Sequence, residues 1–585
     1  MKTNKTLILC LLLISILHTT TANLSLAYLL NSGIQSKTCD GCKKIEKAIG
    51  YLGETGVTMS LISKRLTCKI MIGVLKMNFL TVDSCVHLID QMKLVPAVVI
   101  KQLFLKNSGF LCHLIVGICK AEESSMHWFN SNSYIAKIML EPKINEESKV
   151  QGLSSRGSAK ILHFSDVHLK LKYREGASTE RGGFGACEND PVHQGEHLAK
   201  KFGDPACDLP TLTFETFLDQ ASKDQPDIII YTGDNNDHNL LNYKNKNSFV
   251  ETSYIAKRLR ETFPDASIIP TLGNIESAPQ DHQYDHLEST LNWALEGVSE
   301  AYSQLLYEEE KKSLGTKGYF SREIPQHNLR IVSLFSALYD PLNFFQIVRT
   351  FNPNSIFDFI WQELRIAESR NQKVIFISHA PTGESMNAQF SKIFEAFMSR
   401  YKDTVIAHFA GHTHRDNLSF YSNFMGHVTV PMFTVASISP INSGMPSYRV
   451  WSYDTDKGQL IDYDQFKFDL NKANDQNDSE GCWSKSYSFK SAYGISSTEL
   501  TYDVLKNLYE SLKNNNHSVL GVYESLRTQY STKPISLKPD QIKLKSCRLH
   551  ANIRQVARCL KLASEPIGGI TSKLALMYRD YIVIN

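Results

Sequence analysis

Short apolar runs, most of them followed by histidine, aspartate or asparagine, constrain the fold of this chain more than any other feature. β-rich runs recur at 160–164, 227–231, 267–270, 329–334, 373–377 and 405–409, with longer, partly helical stretches between several of them. This alternation predicts an α/β domain built on a central sheet. Ligands of open α/β sheets bind beyond the carboxyl ends of the strands, so the residues that follow these runs are candidates for one site.

Five of the six runs are followed by residue types that bind metals: Asp166 and His168, Asp234, Asn274, His379, and His412 with His414. A single Asp or His in such a place is usually a turn former, but chance does not readily supply five successive cases. Mixed oxygen and nitrogen donors suit Zn²⁺, Mn²⁺ or Fe better than a Cys-rich structural zinc site. Seven ligands exceed the needs of one tetrahedral ion, and a carboxylate such as Asp234 can bridge two ions about 3.5–4 Å apart.

The order D-x-H, G-D, G-N, H and G-H-x-H resembles the calcineurin-like metallophosphatase superfamily over about residues 159–465. The resemblance implies a β-sandwich flanked by helices and a site for two Zn²⁺, with other divalent metals left open. It implies one metal among Asp166, His168, Asp234 and His414. It implies the second among Asp234, Asn274, His379 and His412.

The N-terminus has the pattern of a signal peptide over residues 1–22: two lysines, a twelve-residue apolar run at 6–17, and a small-residue cleavage site. A membrane-spanning helix needs about 20 apolar residues, so we expect no transmembrane anchor. The expected location is secreted or in the lysosomal or endosomal lumen, where disulfides form. Cleavage removes Cys10 from the 12 cysteines and leaves five pairs and one odd thiol. The candidate glycosylation sequons are Asn23, Asn417, Asn477 and Asn516.

Residues 35–121 contain six cysteines separated by apolar residues at helical spacing, which predicts a small all-α, disulfide-stapled domain. The periodicity alone is satisfied by a simple packed bundle. The cysteine order resembles a saposin B-type domain, which implies the pairs Cys39–Cys119, Cys42–Cys112 and Cys68–Cys85 and a surface that contacts membrane lipid. The gap from Cys68 to Cys85 is longer than is usual in that family.

The rest of the chain divides by composition. Residues 122–155 lose periodicity and are predicted to be a linker, 156–468 form the metallophosphatase domain, and 469–585 form a helical C-terminal subdomain. Residues 448–453 and 459–468 flank a turn and predict a hairpin. Cys187–Cys207 and Cys547–Cys559 are the remaining expected disulfides, which leaves Cys482 as the odd thiol.

This order of domains resembles that of the acid sphingomyelinase family. Local sequences resemble the same family: SDVHL, CDLP, GNIES, GHTHRD and PSYRVW. The resemblance implies a monomeric sphingomyelin phosphodiesterase that releases ceramide and phosphocholine and meets membrane lipid through the saposin-like domain. It implies His238 as the proton donor and Tyr448 as a substrate contact. The alternative is a secreted acid-sphingomyelinase-like phosphodiesterase that acts on nucleotides or other soluble phosphoesters. The members of that related group lack the N-terminal saposin domain.

The chain departs from the family at Ile275, since GNIE stands where the family has GNHE. A third hypothesis, a non-catalytic lipid-binding protein with a vestigial site, is supported only by this residue.

The formal net charge of +3 over 585 residues gives no polybasic surface, so we expect no nucleic-acid partner.

Overall fold

A computed structural model gives the structure of the chain. It describes residues 131–144, 157–179, 186–188, 197–239, 245–277, 293–340, 343, 352–383, 386, 388–423, 425–441, 444–513, 517–527, 529, 545–551, 555–556 and 559, with the single positions 40, 43, 65 and 86. The chain divides into two compact units, and the second, Asn130–Asp340 with Asn352–Ile567, holds nearly all of these residues.

The strands of this second unit are β1 Ser158–Phe164, β2 Leu169–Lys170, β3 Leu209–Pro210, β4 Ile228–Tyr231, β5 Ser267–Pro270, β6 Tyr319–Ile324, β7 Leu329–Leu334, β8 Lys373–Ser378, β9 Val405–Ala410, β10 Asn417–Ser422, β11 Val428–Thr434, β12 Ser447–Asp454, β13 Gln459–Phe468 and β14 Trp483–Ser488. They form two six-stranded sheets and a two-stranded sheet, β2–β3. The first six-stranded sheet has the order β14-β13-β12-β1-β4-β5, and β1, β4 and β5 are parallel. The second has the order β10-β11-β9-β8-β7-β6, with β7, β8, β9 and β11 parallel.

The two sheets pack face to face through buried aromatic side chains. The ring of Phe409 on β9 stacks on His163 of β1 at 4.8 Å and on Trp451 of β12 at 4.9 Å between ring centroids. The strands β4 and β8 are apolar and almost completely buried, as expected for parallel strands covered on both faces. All six strands predicted from the apolar runs are present, and the predicted hairpin is β12–β13.

Helices cover the outer faces of the sheets. They begin and end as follows: α1 Ser131–Leu140, α2 Thr211–Ser222, α3 Val250–Thr262, α4 Trp293–Ala301, α5 Glu308–Lys317, α6 Ile356–Ser369, α7 Ala388–Arg400, α8 Leu470–Gln476, α9 Phe489–Tyr493, α10 Tyr502–Lys513 and α11 His517–Leu526. Among the described residues, no helix is both long and apolar enough to cross a membrane.

Two stretches differ from the sequence prediction. Part of the predicted linker is α1, which is held in place because Tyr134 packs on Trp361 and Arg400 donates hydrogen bonds to the carbonyls of Glu141 and Pro142. Tertiary contacts therefore order a segment that lacks strong helical periodicity. The C-terminal subdomain is also not purely helical, since β14 extends the first sheet by pairing with β13.

Two of the expected disulfides, Cys187–Cys207 and Cys547–Cys559, are present, and Cys482 is a buried free thiol. The predicted signal peptide, the saposin B-type domain and its three disulfides lie outside the described residues, apart from the four single positions.

Candidate metal centre and active site

The predicted ligand residues follow the carboxyl ends of β1, β4, β5, β8 and β9, and the structure brings them together. Main-chain hydrogen bonds join the loops: Asp166 N–H donates to the Gly233 carbonyl at 2.9 Å, and His168 N–H donates to the Asp234 carbonyl at 3.0 Å. Five of the seven residues adopt positive φ angles, which are uncommon outside glycine: Asp166 (54°), His168 (41°), Asp234 (56°), His412 (70°) and His414 (56°). Residues in such strained backbone conformations are concentrated at functional sites.

Glycine is required where two of these loops approach each other. A Cβ atom on Gly273 would overlap the carboxylate of Asp234, and one on Gly411 would overlap the side chains of Ser165 and Asp166. The glycines beside the ligand motifs therefore permit the close packing of the loops.

The first group of ligand atoms comes from Asp166, His168 and His414, whose candidate donor atoms lie within 4.8 Å of one another. His168 Nε2 is 3.1 Å from His414 Nε2, and His414 Nε2 is 3.5 Å from Asp166 Oδ1. Asp234 Oδ2 lies 3.4 Å from His168 Nε2, so Asp234 also faces this group. All four side chains are buried.

The second group comes from Asp234, His379 and His412, again within 4.8 Å. Asn274 belongs with them, since its Oδ1 lies 2.9 Å from His379 Nε2 and 3.0 Å from His412 Nδ1. Asp234 Oδ2 is 3.1 Å from His379 Nε2. Because Asp234 faces both groups, its carboxylate has the position of a shared ligand.

The hydrogen bonding of the histidines fits a cation. His168 Nδ1 faces the Asn236 carbonyl at 3.1 Å, and His414 Nδ1 faces the Ile441 carbonyl at 2.9 Å. A carbonyl oxygen can only accept, so in the neutral rings both Nδ1 atoms carry the hydrogen and both Nε2 atoms carry a lone pair. Those lone pairs point at each other, an arrangement that a cation between them would stabilise. Metal-binding histidines are usually held in this way through the second nitrogen.

Burial favours the neutral, metal-binding form of His168 and His412, whereas the neighbouring carboxylates favour positive charge at His379. Burial lowers the pKa of His168 well below its usual value, and burial followed by the charge of His379 lowers the pKa of His412 to about 3. Burial also lowers the pKa of His379, but Asp234 and Asp166 outweigh it and raise the pKa to about 10. The two carboxylates therefore favour positive charge at this point, as a cation site requires.

His238, the predicted proton donor, lies beside the first group. Its ring stacks on that of His168 at 4.1 Å between centroids, and its side chain is 23% exposed. Its Nδ1 is 2.6 Å from Asp208 Oδ1, and its main-chain N–H donates to Asp208 Oδ2 at 2.9 Å. Burial lowers the pKa of His238, but the charge and hydrogen bond of Asp208 raise it above the usual value overall.

Two buried carboxylates of the site, Asp208 and Glu276, were not predicted from the sequence. Glu276 accepts hydrogen bonds from the main-chain N–H groups of Asp234 (2.9 Å), Asn235 (2.7 Å) and Gly273 (2.6 Å), so it fixes the loops after β4 and β5. Burial and Asp234 raise its pKa to about 7, whereas the N–H donors favour the ionised form. Asp208 stands in the CDLP sequence and Glu276 in GNIE, but most of their partners are 30 or more residues away in sequence.

Several predicted residues lie elsewhere or carry other contacts. Tyr448 is buried against Phe217, Phe466 and Trp483, so the structure does not support a substrate contact there. Asn417 is buried, and its amide nitrogen, the atom to which a glycan would be joined, donates to Thr413.

The other three predicted glycosylation sites remain predictions. Asn477 is exposed after α8, as a glycosylation site requires. Asn23 and Asn516 lie outside the described residues.

Residues 159–416 match the family model for calcineurin-like phosphoesterases. This match covers the strands and loops that hold the two ligand groups. The chain therefore carries a calcineurin-like metallophosphatase domain and is a metal-dependent phosphoric diester hydrolase.

Similar proteins narrow this class. Sphingomyelin phosphodiesterase A of Dictyostelium discoideum is 26% identical over 72% of this chain and 74% of its own length. Sphingomyelin phosphodiesterase of Bos taurus is 24% identical over 66% of this chain and 62% of its own length. Cyclic GMP-AMP phosphodiesterase SMPDL3A of Bos taurus is 26% identical over 57% of this chain and 75% of its own length. The chain is thus similar to sphingomyelin phosphodiesterases over about two thirds of its length.

Proposed function

We propose that the chain hydrolyses sphingomyelin to ceramide and phosphocholine at a dinuclear zinc site. The observation that carries this proposal is the convergence of two ligand groups on Asp234, beside a partly exposed imidazole held by Asp208. The similarity to sphingomyelin phosphodiesterases, which extends over about two thirds or more of the chain, supports the choice of substrate.

The ligand groups would hold one ion each and share Asp234. Four imidazoles, two carboxylates and one amide oxygen form the donor set, and such mixed nitrogen and oxygen ligands suit Zn²⁺. When bound, divalent cations act as Lewis acids that polarise the phosphoryl group and make water a stronger nucleophile near neutral pH. The ligand His412 and the neighbouring His238 are partly exposed and mark the side from which a phosphodiester would enter.

His238 would deliver the proton to the departing ceramide oxygen. Asp208 accepts the hydrogen of Nδ1, so Nε2 is the atom left to hold the transferable proton. Once Nε2 has given up its proton, the neutral ring keeps its Nδ1–H on Asp208 and therefore its orientation. Ile275 cannot share this task, since an alkyl side chain has no proton to transfer.

The second candidate is hydrolysis of a soluble phosphodiester such as a cyclic dinucleotide, because the SMPDL3A relative is 26% identical over 57% of this chain. We also propose that the N-terminal saposin-like domain presents the lipid and that the protein is secreted or lysosomal. Both properties would suit the first candidate.

The test is phosphocholine release by the full chain from sphingomyelin vesicles at acidic pH, with added Zn²⁺ or a chelator. We expect zinc-dependent release that exceeds the rate on a cyclic dinucleotide. Hydrolysis of the dinucleotide without any phosphocholine release would contradict the lipid proposal and support the second candidate.

A further inference from the structure

A cluster of buried charges surrounds the segment that carries His238. Lys170 is only 1% exposed, and its ammonium lies 3.0 Å from Asp237 Oδ2 and 2.9 Å from Glu188 Oε1. Glu188 Oε1 also accepts from the amide of Asn239 at 3.3 Å. Asp237, which precedes His238, therefore contacts the buried ammonium directly. Asn239, which follows His238, is connected to the same ammonium through Glu188.

The ammonium of Lys170 is stabilised by this arrangement. It is almost fully buried and pairs with two carboxylates, those of Asp237 and Glu188. A buried charge that is paired and hydrogen-bonded holds its partners in fixed geometry, and removing one partner leaves the other uncompensated.

The Cys187–Cys207 disulfide fixes the two carboxylates that contact this segment. Glu188 follows Cys187 and Asp208 follows Cys207, so each carboxylate is one residue away from the cross-link. Both cysteines are fully buried.

Hydrogen bonds of the neighbouring backbone restrain the same two points. The carbonyl of Cys187 accepts from Arg174 N–H at 2.9 Å, and Leu209 N–H donates to the His168 carbonyl at 3.0 Å. Asp208 is thus restrained on both sides, by the disulfide and by a strand contact with the ligand loop.

We propose that Lys170 and the Cys187–Cys207 disulfide form a positioning element for His238, which sets how well a proton reaches the leaving group. The element acts through Asp208, Asp237 and Glu188 and contributes no atom to the two ligand groups. The inference rests on the proposed role of His238 as the acid.

Leaving-group dependence separates positioning of an acid from general damage. A nitrophenolate leaves without a proton, whereas an alkoxide requires one, so misplacement of the acid affects only the second. The substrates are 4-nitrophenyl phosphocholine and hexyl phosphocholine, which share the phosphocholine group. The full chain is compared with Glu188→Ala and with Cys187→Ser/Cys207→Ser.

The matched control is Cys547→Ser/Cys559→Ser, which removes the other described disulfide. Glu188 is 20% exposed, so Glu188→Ala provides the test if the loss of the buried disulfide prevents folding.

For both test variants we expect a loss of about tenfold on the hexyl ester, less than about threefold on the nitrophenyl ester, and unchanged bound metal per chain. The control should change both rates by the same factor. Equal losses on the two esters, or no loss in either test variant, would overturn the positioning role. A wild-type chain that cleaves both esters but not sphingomyelin vesicles would instead refute the lipid substrate and leave this comparison valid.

Discussion

Replacing Asp208 with asparagine tests the proton-transfer role of His238 most sharply. Asp208 accepts from both the ring Nδ1 and the main-chain N–H of His238, one on each carboxylate oxygen. Asparagine offers a single acceptor oxygen, so one of these donors loses its partner and the ring loses its negative neighbour. The change alters no atom of the two ligand groups.

The size of the effect follows from the pKa of Asp208. Burial raises this pKa, but the charge and hydrogen bond of His238, with smaller effects of Lys170 and His168, hold it at about 2, against an ordinary value of 3.8. At about 1.36 kcal/mol for each tenfold change in the proton equilibrium, this lowering corresponds to about 2 kcal/mol. If the transition state loses that stabilisation, the rate falls by about 30- to 100-fold.

The assay is kcat for Asp208→Asn on an alkyl and a nitrophenyl ester of phosphocholine, with metal saturating. We expect the loss of about 30- to 100-fold on the alkyl ester only. Glu310→Gln is the matched control, since Glu310 is also a buried carboxylate that accepts from a buried cation, Arg322. The reasoning is refuted if Asp208→Asn slows both esters equally or behaves like the control.

Three further substitutions test other parts of the site and fold. Glu276→Gln should weaken metal affinity by about 10- to 100-fold, measured by metal titration, because a second acceptor oxygen for the loop N–H groups is lost. Ile275→His should leave turnover unchanged or raise it, since its main-chain N–H still donates to Asp234, and a tenfold fall would contradict this. Arg449→Met should lower the free energy of unfolding by about 3–5 kcal/mol in urea, because the buried carboxylate of Asp416 loses its cation.

The strands and the ligand residues could be predicted because their signals are local. An apolar run that ends in Asp-x-His or Gly-Asp contains both the strand and its functional residue, and parallel pairing of β1, β4 and β5 brings such ends to one edge. Gly273 and Gly411 stand within the same local motifs, where the close approach of loops excludes a side chain.

The contacts that the sequence did not reveal are those that depend on distant partners. Asp208 meets His238 across 30 positions, and Lys170 meets Asp237 across 67. The helix α1 is ordered by Trp361 and Arg400, more than 200 residues away. The burial of Tyr448 and Asn417 likewise depends on distant partners, since Tyr448 packs on Trp483 and Asn417 accepts from Arg527.

The metal content of the full chain and of Asp234→Asn tests the central claim most directly. After reconstitution with Zn²⁺, the wild-type chain should bind two ions, lose sphingomyelin hydrolysis on chelation and recover it on addition of Zn²⁺. Asp234→Asn should abolish hydrolysis and reduce the bound metal, because one carboxylate faces both ligand groups. Full activity of Asp234→Asn, or hydrolysis that survives complete removal of metal, would contradict the dinuclear site.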